Sequence, residues 1–579
     1  MLTVKDLTVS LNKNATAKKL VENISFSLLS GESLGIVGES GSGKTITALS
    51  ILQLLPPGMM ISGGQIFLGS TDLTKLSEKQ MQGIRGKMIS MIFQEPMSSL
   101  NPSMSAGDQI REALSLHLGI SASDARDRTL SLLDEVQLPP EIVFYRKYPH
   151  QLSGGQRQRI MIAMALAGNP DILIADEPTT ALDVTVQKKI LKLLHEIQQK
   201  RQMSMLFISH DLGVVRSVCE NGLIMYKGTI VESGKVSELF DNPKHPYTRG
   251  LIACRPLPGS NPHRLPTLAD FMPEDDAPTL IEKPDKSQDA KTESQIEKPE
   301  SKAGKVGSKR EDIVADNTDP PLLEVRNLKV VYILKKNFWG NPVRDLHAVN
   351  DVSFGIYPGE TLGLIGESGC GKSTLGRSLI RLIQSQEGEI LFRGKPVSSL
   401  NRKELDRFRR EVQFIFQDPF SSLNPSITIG SSIMEVMRVH RIHRGIKKRR
   451  TAALDLLVRV GLGEEHFMRY PHEFSGGQRQ RIGLARVLAT SPKLIICDES
   501  VSSLDVSVQA RILNLLNDLK DSLGLTYLFI SHDLSVVRYM SGHILVMKDG
   551  KLMEQGSGEE IFTNPASEYT KELIDSIPG

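Results

Sequence analysis

At 579 residues, the chain exceeds the roughly 250–300 residues that one hydrophobic core supports, so it divides into at least two domains. Hydrophobic residues at 40% and charged residues at 24% describe an ordinary folded protein, and 70 basic against 67 acidic side chains exclude an electrostatic push toward nucleic acid. One tryptophan gives no base-stacking platform, and Cys219, Cys254, Cys370 and Cys497, scattered without a CxxC pair, argue against a disulfide scaffold or a zinc site.

The first residues, MLTVKDLTVS, lack the basic-then-apolar layout of a secretory signal, and no apolar run approaches the roughly 20 residues that span a bilayer. The expectation is a cytoplasmic chain whose membrane role comes through partners. Residues 34–37 read as a short buried parallel strand, followed directly by Gly38-Glu39-Ser40-Gly41-Ser42-Gly43-Lys44-Thr45. That run satisfies GxxxxGK[ST]. Its glycines let backbone N–H groups converge on phosphate at a helix N-terminus, with Lys44 reaching the β- and γ-phosphates and the Thr45 hydroxyl holding Mg²⁺.

Leu152-Ser153-Gly154-Gly155-Gln156 precedes a long amphipathic helix. Ser153 and Gln156 fit a capping box, which needs no ligand. Two glycines in a first helical turn are costly, at roughly 1 kcal/mol each, and make sense where another anion approaches bare backbone. Residues 172–175 read as a second strand ending in Asp176 and Glu177. Asp176 suits a water-mediated Mg²⁺ position and Glu177 a general base that orders and polarises the attacking water. Residues 205–208 read as a third strand. All three place their polar residues outside the carboxyl ends of strands, where α/β sheets bind ligands.

From about 260 to 320 the composition turns to Lys, Glu, Pro and Ser with few large apolar groups, as in IEKPDKSQDAKTESQIEKPESKAGKVGSKRED. Such a stretch buries too little surface to offset its ordering entropy and reads as a flexible, charge-mixed linker. The motifs then recur in the same order. Gly366-Glu367-Ser368-Gly369-Cys370-Gly371-Lys372-Ser373 repeats the phosphate loop, Phe474-Ser475-Gly476-Gly477-Gln478 the glycine pair, Asp498-Glu499 the acids, and FISHDL begins at both Phe207 and Phe529. The duplication predicts an α/β chain with one domain over 1–258, a linker over 259–320 and a second domain over 321–579.

A phosphate loop, an LSGGQ-like signature, an acid pair and a later histidine, twice in this order, resemble the ABC ATPase family over essentially the whole chain outside the linker. The resemblance implies two P-loop domains, each with a RecA-like core and a helical subdomain. It implies that the halves dimerise within the chain, each signature meeting the nucleotide on the other half's phosphate loop. One ATP site then pairs Lys44, Asp176, Glu177 and His210 with Ser475 and Gly477. The other pairs Lys372, Asp498, Glu499 and His532 with Ser153 and Gly155. In the family the histidines contact the γ-phosphate, and Gln94 and Gln417 link Mg²⁺ and water to the transporter interface. Ser373 and Asp498 are the second Mg²⁺ ligands, and Asp183 and Asp505 match the loop that couples the sites.

Departures are Tyr332, placed to stack on adenine where the first copy has Leu11, Ser500 in place of Pro178, and Phe474 in place of Leu152. None removes a phosphate, metal or base position, so two competent sites of unequal affinity are expected. SSLNP at 98–102 and 421–425, and Asn242-Pro-Lys-His-Pro-Tyr-Thr248 with its echo Asn564-Pro-Ala-Ser-Glu-Tyr-Thr570, are similar to the oligopeptide/dipeptide/nickel importer subfamily. That subfamily implies two integral-membrane permease subunits, an extracytoplasmic substrate-binding protein and a peripheral seat on the cytoplasmic face of the inner membrane. The cargo (peptide, glutathione, peptide antibiotic or nickel) is chosen by those partners. Only Cys254 lies where some members carry a cysteine cluster, so no iron–sulfur group is expected. The rival reading, a soluble tandem ATPase acting on ribosomes, calls for a long basic helical linker and no HPYT-like endings. A DNA-repair ATPase calls for interrupting zinc cysteines.

Overall fold

Uninterrupted Val, Ile and Leu favour strands buried on both faces, and in the computed structural model of the chain such runs build the centre of each half. Residues 1–579 are described except for 14–15, 96–98, 181, 257–263, 273–319, 337–341, 419–421, 503 and 578–579. Most of the expected linker therefore lies outside the described residues, as do Ser98 and Ser421.

In the first half, six strands run in the order Thr229–Lys235, Asn221–Tyr226, Ser33–Val37, Ser204–Ser209, Ile172–Asp176 and Ile89–Ile92. All are parallel except the Thr229–Lys235 edge. The three strands read from the sequence are neighbours, with Val37 opposite Ser209 and Asp176 opposite Ile208. Their polar termini consequently leave the sheet side by side. The second half repeats the order with Thr361–Ile365, Thr526–Ile530 and Leu494–Asp498 as the corresponding trio.

Each half also carries a four-stranded antiparallel sheet that lies outside the strands read from the sequence. In the first it comprises Thr16–Leu28, Leu2–Lys13, Met59–Leu68 and Thr71–Asp72. Alternation does show along Leu2–Lys13, where Leu2, Val4, Leu7 and Val9 are buried, but register shifts break its period of two. A helical layer includes Ala106–Leu118, Ala122–Glu135 and Gly154–Leu166, mirrored by Ile429–Val439, Ile446–Arg459 and Gly476–Leu488. Among the described residues, no helix is long and apolar enough to cross a membrane.

One cluster of buried apolar side chains runs through both halves and includes Leu265, Leu268, Leu513 and Leu516. Part of the stretch read as linker is packed against this core. Residues 264–272 bury Leu265, Leu268 and Met272, and a short turn of helix at Leu268–Asp270 packs on helix Pro246–Ala253. Leu265 is clasped from the other half: its N–H donates to Asn514 Oδ1 (3.0 Å) and its carbonyl accepts from Asn514 Nδ2 (2.8 Å), both buried. Averaged over sixty residues, the polar composition hides these three apolar anchors.

Candidate functional site

Both phosphate loops end in a glycine whose left-handed backbone starts a helix. Gly43 (φ 102°) precedes Lys44–Ile51, and Gly371 (φ 110°) precedes Lys372–Leu379. A β-carbon on Gly371 would stand 2.0 Å from Ala348 O, and one on Gly38 2.3 Å from Met225 O, so the main chain packs where a side chain would otherwise sit. Gly41 and Gly369 also have positive φ but face open space, which leaves the mouth of each loop clear.

Lys44 is buried, and its ammonium donates to the carbonyls of Gly38 (2.6 Å) and Glu39 (2.9 Å). Lys372 repeats this with Gly366 and Glu367, both at 2.8 Å. Thr45 Oγ1 donates to Asp176 Oδ1 (3.2 Å), and Ser373 Oγ to Asp498 Oδ1 (2.8 Å). Burial pushes Asp176 up to about 6, its bond from Thr45 only partly opposing this, and burial also raises Asp498. Asp498 Oδ2 is buried without a hydrogen-bond partner. A hydroxyl and a carboxylate in contact, with an orphaned oxygen and no soft ligand, fit a hard cation that takes its remaining ligands from phosphate and water. Among the described residues no cluster of three or more His, Cys, Asp or Glu forms a closed metal cage. Such an open donor pair suits Mg²⁺ arriving with a nucleotide.

The second acid of each pair sits in a conformation the sequence did not disclose. Glu177 (φ 46°) and Glu499 (φ 47°) are left-handed, a strain of order 1–3 kcal/mol for a non-glycine residue. Their amides are tied to the next strand, at Ile208 O and Ile530 O, both 2.9 Å away. Glu177 Oε2 accepts from Gln94 Nε2 (2.9 Å) and Thr180 Oγ1 (3.0 Å), lies 3.2 Å from His210 Nδ1, and its Oε1 is 3.9 Å from Lys44 Nζ. Burial alone would raise this carboxyl, but the hydrogen bond and charge of His210, with Lys44 and Thr180, hold it down at about 2. The same carboxylate outweighs burial at His210 and raises its pKa. Glu499 accepts from Gln417 (2.6 Å), lies 3.6 Å from His532 and is likewise held low, against burial, by His532 and Lys372. In both halves these partners favour the ionised carboxylate.

The signature serines cap their helices as the spacing predicts, Ser153 with Gln156 and Ser475 with Gln478. The second glycine of each signature also has a packing reason. A β-carbon on Gly155 would lie 2.6 Å from Val186 Cγ1, and one on Gly477 2.3 Å from Val508 Cγ1. Gly154 and Gly476 meet only ordinary contacts, at 3.5 and 3.7 Å. Packing therefore bears on the second glycine of each pair and not on the first.

Further contacts between the halves run through the starts of helices Val184–Arg201 and Val506–Leu523 and the aspartate before the second. Asp505 accepts from the N–H of Ser40 (3.0 Å), and the Ser507 hydroxyl donates to the Glu39 carboxylate. Reciprocally, Thr185 Oγ1 donates to Glu367 Oε1 (2.9 Å). Among the described residues no hydrogen bond joins Ser153, Gly155, Ser475 or Gly477 to the opposite phosphate loop. A cavity of about 130 Å³ between the halves is lined by Glu177, Gln187 and His210 of one and Gln509 and His532 of the other. Tyr332 stands half-exposed on strand Leu323–Lys336 opposite Leu346, while Leu11 pairs with Lys18 at the matching place.

Sequence reasoning missed one connection. The N–H of Glu39 donates to Tyr247 Oη (3.0 Å), and the N–H of Glu367 to Tyr569 Oη (3.1 Å). The Asn-Pro segments that close each half carry these tyrosines and are the only signal that pointed there.

Residues 21–180 and 349–502 match the family model described as ABC transporter. Residues 231–279 and 553–579 match the oligopeptide/dipeptide transporter C-terminal region. The glutathione import ATP-binding protein GsiA of Salmonella paratyphi A is 45% identical over 585 residues, covering 100% of this chain and 89% of that protein. Its Escherichia coli K12 counterpart is 45% identical over 589 residues with the same coverage. Among solved structures, cbiO1 from Clostridium perfringens, part of the ABC transporter complex cbiONQ, is 28% identical and covers 44% of this chain and 94% of its own, with a TM-score of 0.37.

Proposed function

Because the chain belongs to the ABC transporter family, in the branch that carries the oligopeptide/dipeptide C-terminal region, we propose that its halves close head to tail on two ATP molecules and so drive import of a short peptide. The chain is the ATP-binding and hydrolysing subunit of an importer for peptides or related small solutes. Glutathione, which the names of its relatives give as their cargo, is the first substrate to test. The matched C-terminal regions favour this over the ribosome-acting alternative.

The observation that carries the closure is the reciprocal pair of contacts from Thr185 to Glu367 and from Ser507 to Glu39, each coupling loop touching the opposite phosphate loop. Lys44 and Lys372, released from the loop carbonyls, neutralise phosphate oxygens. Thr45 with Asp176, and Ser373 with Asp498, would hold Mg²⁺, with Gln94 and Gln417 close by; the ion supplies neutralisation of charge on the β- and γ-phosphates. Glu177 and Glu499 orient and polarise the attacking water, and His210 and His532 fix those carboxylates. Ser475 with Gly477, and Ser153 with Gly155, close over the nucleotide from the opposite half. Tyr332 stacks on adenine at the second site. Membrane permeases receive the motion near Gln94 and Gln417, beside the exposed Phe93 and Phe416, and an extracytoplasmic binding protein delivers cargo. This seats the chain on the cytoplasmic face of the inner membrane, with residues 1–258 and 321–579 as its two engines.

Titration of the full chain with a fluorescent ATP analogue and Mg²⁺ tests the reading. Two sites per chain of unequal affinity are expected, and one site would refute it. Purification from membranes should bring down permease subunits, whereas ribosomal proteins in their place would reverse the assignment.

A further inference from the structure

The mechanism above makes no use of the segments that close each half, yet both send a tyrosine back to the nucleotide site. Tyr247 is fully buried and Tyr569 nearly so. A buried phenol needs a partner for its hydroxyl, and each finds the same one, the amide of the second residue of its own phosphate loop.

The supporting frame is duplicated too. In the first half the Glu232 carboxylate, on edge strand Thr229–Lys235, accepts from the amides of Lys244 (2.8 Å) and His245 (3.1 Å) and so pins the turn before helix Pro246–Ala253. In the second half Glu554, on strand Lys551–Ser557, accepts from Ala566 (2.7 Å), Ser567 (3.0 Å) and the Thr570 hydroxyl (2.6 Å), pinning helix Glu568–Asp575. The turn sequences differ, Lys-His-Pro against Ala-Ser-Glu, and the helix caps differ, His245 against Ser567. The hydroxyl nevertheless arrives at the same amide. Tyr247 packs on the ring of Tyr226 at 4.4 Å, whereas Tyr569 lies under the Lys548 ammonium at 4.4 Å, so ring packing does not account for the shared hydroxyl position.

The receiving residue is also where the halves meet. Glu39 donates its amide to Tyr247 and accepts from Ser507 at its carboxylate, and the next amide, of Ser40, donates to Asp505. Fixing the amide of residue 39 sets where the loop turns toward phosphate and where its carboxylate points across the interface.

We propose that Tyr247 and Tyr569 are positioning residues for ATP: their hydroxyls hold the entry of each phosphate loop in the shape that receives triphosphate. The role rests on reading both loops as ATP sites. It gives the closing segment of each half a task within nucleotide binding.

The test uses Tyr247→Phe, Tyr569→Phe and the double variant in the full chain, with fluorescent ATP-analogue titration and steady-state hydrolysis. Removing one acceptor leaves a loop amide unpaired, so the affinity of the altered site should fall roughly three- to tenfold. KM should rise while kcat at saturating ATP stays within about twofold. The effect should be larger at Tyr247, the more enclosed of the two. Unchanged affinity in both variants, or a fall in kcat at constant KM, overturns the role. Should Tyr247→Phe fail to fold, Tyr569→Phe carries the same test. A wild-type chain that binds no ATP would instead strike down the ATP-site reading itself, a result distinct from wild-type binding with unaltered variants.

Discussion

In the first half Asp183 turns back on its own helix, capping Val186 N–H at 2.9 Å; in the second, Asp505 leaves its helix without a side-chain cap and reaches across to the Ser40 amide. The acid pairs diverge in the same way. Glu177 has three side-chain partners within 3.2 Å and opens onto the cavity shared by the halves, while Glu499 has a short bond from Gln417 and a more distant His532. Ser502, where the first half has Thr180, bonds instead to the Glu499 carbonyl (2.9 Å). What the halves share is main chain: left-handed glycines and glutamates, strand order, capped signatures. Sheet packing constrains those features in both copies alike. Fusion in one chain means each copy always meets the same partner, so its side chains need suit only one of the two interfaces.

The largest expected effect falls on the acids. Glu177→Gln with Glu499→Gln should cut turnover 10²–10⁴-fold and hold ATP in the closed form, measured by phosphate release and retained nucleotide. Of the single variants, Glu177→Gln should cost more, given the closer histidine; equal losses would erase the asymmetry drawn above. Next come the signatures. Gly477→Ala and Gly155→Ala should each lower stability by about 1–3 kcal/mol through overpacking against Val508 and Val186, the former more. Gly476→Ala and Gly154→Ala should leave thermal unfolding near wild type and weaken ATP-driven closure instead.

The coupling aspartates should then separate by type of measurement. Asp183→Ala should cost about 1 kcal/mol of stability through the lost cap. Asp505→Ala should leave unfolding almost unmoved and raise the KM of the first site. A matching stability loss at Asp505 would show that both serve as caps. The smallest effect belongs to the adenine position. Tyr332→Leu should weaken the second site by about 0.5–1.5 kcal/mol and Leu11→Tyr strengthen the first by a similar amount, read by nucleotide titration.

Much of the site was legible because its chemistry admits few residues. A GxxxxGK[ST] run admits only glycine and lysine at positions 43 and 44, a hard cation would favour a carboxylate such as Asp176, and both follow strands whose apolar runs are equally restrictive. The Ser153 and Gln156 cap was legible because it is local. What escaped depends on contacts between distant segments. Nothing near Tyr247 in sequence says that its hydroxyl meets Glu39, and nothing near Glu177 says that Ile208 holds it left-handed. Gly155 shows a subtler case: its motif offered a ligand as the reason for the glycine, and nothing local announces that Val186 supplies a packing reason as well. The antiparallel sheets went unread because bulges break the alternation at Leu7 and Val9.

The buried amide pair between Leu265 and Asn514 bears on what happens after hydrolysis. Water competes poorly for two enclosed hydrogen bonds, so in the proposed cycle this edge would hold while the contacts at Glu39 and Glu367 let go. Parted nucleotide surfaces would then face one another at an effective concentration set by the chain itself, of order millimolar for a short connection. Re-engagement would be a first-order event, indifferent to how dilute the protein is in its cell, where two separate subunits would have to find each other anew.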